Sequence, residues 1–180
     1  VLILKKPSLV IDITKPALII LTISLVIVGY PMMIYGFDWI SYANDDMANY
    51  VLGAERIQQN GFFAIPNFEE LVNGGDRNQH FWFMHAVLGH RVGSEILLAY
   101  FSSITSLNGH QAFMPLIIML HLCLISSVGA LVSNMASSKN TTLIAMGLVG
   151  ISPLVLMGAL YQLIAQVGGL AILVCSLVLL

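Results

Sequence analysis

The sequence predicts an all-α chain: a polytopic transmembrane helix bundle with one large extracytoplasmic loop that contains short juxtamembrane helices. Three observations predict it. Hydrophobic residues fill 58% of the chain and charged residues only 9%, where a soluble domain carries about 25% charge. Mean hydropathy is +0.89. The acids crowd between Asp38 and Glu95, while long stretches on either side carry no charge at all. Such a chain lacks the polar surface to clothe a water-exposed globule, and suits a bilayer for part of its length and water for the rest.

Residues 1–16 read as a cytoplasmic N-terminal segment, with Lys5, Lys6 and Lys15 among apolar residues as an interfacial lead-in. Residues 17–35 are uncharged and have roughly the length that crosses ~30 Å of hydrocarbon. This run is too long for the apolar core of a cleaved signal, so it is expected to be an anchor. Pro31 lacks a backbone donor and is expected to kink or finish the helix.

Residues 36–110 form the extracytoplasmic loop. Turn residues cluster at Asn60–Gly61, Pro66–Asn67 and Asn73–Asp76. Within the loop, Asp45 to Gln59 has helical character, with Gly61 as its stop. Met47, Tyr50, Val51, Ala54 and Ile57 fall on one side at spacings of three and four, as in a helix lying on a membrane surface. Ser94 to Ser106 makes a second short apolar helix, closed by Asn108–Gly109.

Residues 111–132 are the second span and 133–142 a polar cytoplasmic turn carrying Lys139. Residues 143–180 are uncharged. As one helix they would extend ~57 Å, too far for one crossing. Pro153, Tyr161–Gln162, Gln166 and Gly168–Gly169 point to a break, giving a third span to about Leu160 and a truncated fourth. The start at Val1 and the stop at Leu180 inside apolar runs are read as truncations.

Alternating spans bring Lys5, Lys6, Lys15 and Lys139 to one side, and the central loop has no lysine. The positive-inside rule makes the lysine side cytoplasmic. The expected setting is a bacterial inner membrane, with membrane lipids as surroundings. Cys123 and Cys175 lie in apolar runs and read as small hydrophobes. There is no basic stripe for nucleic acid.

Chemistry concentrates in NDDMANYVLGAERIQQNGFF, Asn44 to Phe63, just past the first span. Paired acids that open a surface helix suit binding a cation, or activating a hydroxyl as general base. Asp45 and Asp46 are adjacent and diverge, whereas Asp46 and Tyr50 share a face. Local physics also accounts for these acids: Asn44 is a good N-cap, and carboxylates in a first turn gain about 0.3–1 kcal/mol from the macrodipole. Arg56 sits beside Glu55 on what reads as a solvent-washed helix, where pairing contributes little.

His80, His85 and His90 recur every five residues, which fits neither one α-helical face nor a zinc spacing. Phe81, Trp82 and Phe83 read as an interfacial aromatic belt. His121 reads as a polar residue facing the bundle. Gln162 and Gln166 share a helix face and are expected either to face a cavity or to hydrogen-bond between helices.

A first span, an acid on the first external loop, a surface helix, a second short helix and a second span together resemble the GT-C superfamily of membrane glycosyltransferases. The likeness is to the bacterial branch of aminoarabinose and mannosyl transferases, whose loop reads roughly Asp-acid-x-x-Tyr, then Ala, then Gly. Asp46, Tyr50, Ala54 and Gly61 fit that pattern, and Asp45 is the alternative if the register shifts by one. Arg91 to Pro115 resembles the family's juxtamembrane helix and the start of the second span. Arg91-Val92-Gly93-Ser94 replaces the usual His/Lys-Pro-Pro-Leu, and Met47 stands where a second acid is usual.

The resemblance implies an enzyme that moves a sugar, with inversion, from a lipid-linked polyprenyl-phosphate donor to an acceptor on the outer face. Asp46 would be catalytic, Tyr50 and Gln162 would line the substrate site, and Arg91 or Arg77 would hold the donor phosphate, to which a guanidinium's planar fork is suited. Arg56 is the third arginine in reach. A divalent cation serves some members and not others. A transporter and a non-catalytic membrane scaffold are the competing classes.

Overall fold

A computed structural model describes residues 15–41, 46–74, 80–136 and 138–180. All regular structure among them is helical: α1 Lys15–Tyr35, α2 Asp46–Asn60, α3 Phe68–Val72, α4 His80–Trp82, α5 Gly93–Thr105, α6 Gly109–Met135, α7 Lys139–Gly150, α8 Pro153–Leu160 and α9 Ile164–Leu179. α4 runs directly into a π turn, Phe83–Val87. The expected N-terminal lead-in, the Asn44 cap, Asp45 and Arg77 lie outside the described residues.

α1 and α6 are long and apolar enough to cross a membrane, and α7 with α8 makes a third such length if the pair, bent by 46°, is one span. α9 is apolar but shorter. The second span extends past both of its expected ends, so the expected polar turn at 133–142 shrinks to the short link between Met135 and Lys139. Leu143 to Leu160 is not one helix. It breaks at Ile151–Ser152, where Pro153 opens α8 at its first turn, the helical position that best tolerates a missing N–H. Pro31 sits inside α1 without ending it. Gly168 and Gly169 lie within an unbroken α9; the turn expected after about Leu160 falls at residues 161–163, between α8 and α9.

α6 is the central pillar. Phe113, Leu116, Ile117 and Ile125 on it are fully buried, and it packs against α9, α7, α1, α5 and α2. Neighbouring positions fix the helix directions. Gly29 of α1 faces Ile118, while Gly150 of α7 faces both Ile125 and Ser24 of α1. Gly129 of α6 meets Met146 of α7. α1 and α7 therefore run antiparallel to α6. α9 runs parallel to it, since Gly168 faces Leu120 and Cys175 reaches Cys123 and Ser127. Lys15 and Lys139 consequently share one end of the bundle.

α2 and α5 pack on the opposite end, around the start of α6: a Cβ added at Gly109 would lie 3.0 Å from Val51. The apolar stripe of α2 is buried, with Met47, Val51 and Ala54 at most 8% exposed. It faces α5 and α6 rather than lying bare on a membrane surface. Gly61 closes α2 with φ +80, its N–H donating to the Ile57 carbonyl at 2.9 Å, a left-handed cap that glycine adopts without strain.

Candidate functional site

The first turn of α2, the segment from α4 through the π turn, the start of α5 and the first half of α9 line an open cavity of about 550 Å³. Asp46 and Tyr50 enter from α2, Arg91 from the connection before α5, and Ala165, Gly168 and Ile172 from α9. A smaller space of about 290 Å³ shares Asp46, Tyr50 and Arg91 and reaches Leu163 and Gln166. The lining from α2 and the connection before α5 is therefore charged and hydrogen-bonding, and in the larger space that from α9 is apolar, with Ala165, Gly168 and Gly169 between Ile164 and Ile172. The volume lies within the range of small-molecule sites.

Asp46 and Tyr50 meet here because a four-residue separation puts both on one face of α2. Burial is the main reason the Tyr50 hydroxyl holds its proton above the usual phenol range; the nearby Asp46 and Glu95 carboxylates raise it further and Arg91 pulls it back. Asp46 and Arg91 are exposed, and Tyr50 is half-buried. An exposed carboxylate and an exposed guanidinium lining one space can engage an incoming polar ligand at modest desolvation cost.

Two further residues line the cavity: His85, one of the five-spaced histidines, and Glu95, which the sequence reading gave no role. His85 Nε2 lies 3.4 Å from Glu95 Oε1. Burial pushes the His85 imidazole below its ordinary range, with Arg56 and His90 adding to the effect, and burial lifts the Glu95 carboxyl. The pair fits against α2 because residue 53 is glycine: a Cβ there would lie 2.8 Å from Glu95 Cγ and 3.2 Å from His85 Cε1. A signal was present in the sequence. Five-residue histidine spacing matches no α-helical face, but the π turn supplies wider bonds: the Leu88 N–H donates to the Phe83 carbonyl and the His90 N–H to the Met84 carbonyl, both at 3.0 Å. His85 and His90 both reach the cavity. Among the described residues, no three His, Cys, Asp or Glu side chains form a cation-holding group.

Other candidates sit elsewhere. Gln162 is 1% exposed and lies in the turn before α9 with φ +58, so it shares no helix face with Gln166. Its side-chain oxygen accepts the Ser41 N–H at 2.8 Å, and its amide nitrogen lies 3.5 Å from the Trp39 carbonyl. It pins the segment after α1 to the α8–α9 turn and does not line the cavity, while Gln166 does line its smaller extension.

Arg56 is fully buried, not washed by solvent. It donates to the Ala64 carbonyl at 2.7 Å and the Phe62 carbonyl at 3.4 Å. Folding the 62–64 segment over α2 encloses it, which the helical pattern alone did not reveal. Phe81 is 8% exposed and tilts against His85, with ring centroids 5.9 Å apart; it belongs to the site wall and not to an aromatic belt. His121 is fully buried on α6, as its bundle-facing assignment requires.

No protein-family model, curated protein or solved structure matches the chain.

Proposed function

We propose that the cavity is the active site of a membrane glycosyltransferase of the GT-C kind, which moves a sugar with inversion from a polyprenyl-phosphate donor to an acceptor hydroxyl. One observation carries this reading: Asp46, Tyr50 and Arg91 converge on a cavity that α9 lines chiefly with apolar residues. An anionic headgroup on an apolar chain requires that combination of surfaces.

In this reading Arg91 holds the donor phosphate by charge-assisted hydrogen bonds, and the lipid chain lies along Ala165, Gly168 and Ile172. The acceptor oxygen attacks the sugar's anomeric carbon from the face opposite the phosphate. The bond from that carbon to the phosphate oxygen breaks, the new carbon–oxygen bond forms, and the hydroxyl proton passes to the Asp46 carboxylate. Polyprenyl phosphate leaves. General-base catalysis of this kind contributes about 10²–10⁴-fold. A divalent cation, where one serves, would assist by holding the leaving phosphate.

The membrane arrangement belongs to the same proposal. α1, α6, the bent α7–α8 pair and α9 cross a bacterial inner membrane, and residues 36–110 form the extracytoplasmic loop. Lys15 and Lys139 share the bundle end opposite the cavity, which supports a cytoplasmic lysine side and an outward-facing site.

The bent α7–α8 pair favours a second reading, a transporter, since discontinuous helices recur at transporter binding sites. The break at Ile151–Ser152 lines neither space of the cavity, so the transferase reading accounts for more. The test supplies the full-length protein in membranes with a panel of polyprenyl-phosphate sugars. Wild type is expected to transfer at least one of them, and Asp46→Asn to abolish transfer while expression and insertion stay intact. Wild-type transfer by Asp46→Asn would overturn the assignment.

A further inference from the structure

The His85–Glu95 pair has the geometry of an oriented base. The side chains are 3% and 7% exposed and 3.4 Å apart. Glu95 Oε1 is placed to accept the Nε2–H of His85, which leaves the Nδ1 lone pair available. Among the described residues, Nδ1 of His85 and Oε2 of Glu95 are buried with no hydrogen-bond partner. Buried polar atoms are ordinarily satisfied, and one that is not calls for an explanation, a catalytic role being one. A carboxylate that fixes the tautomer of an imidazole and stabilises its protonated form is the arrangement that makes histidine an effective base.

The surroundings are specific to this place. α2 presents Gly53 against both members, and any side chain there would displace Glu95. From α2 the charged or titratable neighbours are Asp46, Tyr50 and Arg56; from the connection to α5 they are His90 and Arg91. The α9 wall offers apolar and small residues such as Ile164 and Ala165. Tyr50 stands within the electrostatic reach of both Asp46 and Glu95, so the two carboxylates serve one space.

Resting on the transferase reading, we propose that Glu95 orients His85 as the second proton acceptor of the cavity, which relieves Asp46 of the proton taken from the acceptor hydroxyl. Once the new glycosidic bond has formed, Asp46 is a carboxylic acid. Its proton is relayed through cavity water and a water admitted to the buried Nδ1 of His85 during turnover, regenerating the Asp46 carboxylate and producing an imidazolium paired with the Glu95 carboxylate. The imidazolium releases the proton to water at the cavity mouth. No electrons are exchanged and the groups return to their starting states.

The test measures transfer by the full-length protein in membranes with a polyprenyl-phosphate sugar that wild type turns over. His85→Ala is expected to lower kcat by about 10²-fold, with the KM for donor little changed. Added imidazole is expected to restore turnover, and pyrazole, of the same shape but a far weaker base, to leave it low. Equal rescue by pyrazole, or wild-type kcat in His85→Ala, overturns the proposal and leaves the transferase reading standing. If His85→Ala fails to insert, His85→Gln takes its place. Wild-type kcat then falls on acidification with a midpoint below the ordinary histidine value, and His85→Gln loses that limb. An unchanged limb overturns the proposal. If wild type transfers no sugar from any donor, the transferase reading falls and this inference with it.

Discussion

The side-chain oxygen of Gln162 accepts the backbone N–H of Ser41 at 2.8 Å, joining points 121 residues apart. Ser41 ends the described stretch after α1, and Gln162 occupies the turn between α8 and α9. One buried amide thus fixes where the chain leaving α1 lies against the α8–α9 turn. Gln162→Leu removes the acceptor and leaves the Ser41 N–H without it. The expected cost is about 1–3 kcal/mol, seen as a lower unfolding temperature in detergent. An unchanged unfolding temperature contradicts this role.

Gly53 allows α2 to lie against the His85–Glu95 pair. In Gly53→Ala the new methyl would stand 2.8 Å from Glu95 Cγ, so the pair must move. Overpacking of this order costs about 1–3 kcal/mol. Transfer should fall along with stability, whereas Gly147→Ala, where an added Cβ meets nothing within 4 Å and which lies outside the cavity lining, should leave both close to wild type. Parallel thermal-unfolding and transfer assays of the two variants check this contrast.

The buried pair also shapes the pH dependence of stability. His85 keeps its folded-state pKa below the ordinary 6.5, so the unfolded chain binds more protons there and stability falls as pH drops below about 6.5. Glu95 has its folded-state pKa above the ordinary 4.5, so the folded chain binds more protons there and stability falls as pH rises above about 4.5. In wild type the two trends oppose each other between those values. Glu95→Gln should expose the loss on acidification, and His85→Gln the loss on alkalinisation. Denaturant unfolding across this range reads both slopes, and parallel curves for the two variants contradict the assignment.

Close approach of α1 and α7 depends on Gly150. A Cβ there would lie 2.6 Å from Ser24 Oγ and 3.4 Å from Ile125 Cδ1, while one at Gly147 would meet nothing within 4 Å. Gly150→Ala is expected to destabilise by about 1–3 kcal/mol. Gly147→Ala is expected to be neutral, or to gain up to about 1 kcal/mol of helix propensity. Unfolding temperatures of the two variants in one detergent decide it, and equal shifts contradict the packing.

Much of this was legible in the residues. Hydropathy and length marked α1 and α6, because a bilayer-spanning helix must be apolar over a known distance. Three- and four-residue spacing marked the apolar face of α2, though read as lying on a membrane surface and not as packed against α5 and α6, and put Asp46 and Tyr50 together. What escaped depended on tertiary closure. Arg56 has the composition of a surface residue and is buried only because the 62–64 segment folds over it. Gln162 looked helical but sits at positive φ in a turn. The histidines could not be placed while only α-helical spacing was considered, since a π turn carries His85 between His80 of α4 and His90 beyond it. No local pattern announces that Glu95 meets His85 across Gly53, because that contact joins three separate elements.

Turnover kinetics of Asp46→Asn and Arg91→Ala, compared side by side with one lipid-linked donor, probe the shared cavity most directly. Loss of the carboxylate should depress kcat by about 10²-fold or more at near-constant donor KM. Loss of the guanidinium should chiefly raise donor KM, as expected when ground-state binding is removed. Wild-type kcat in Asp46→Asn would contradict the assignment of that carboxylate as the base.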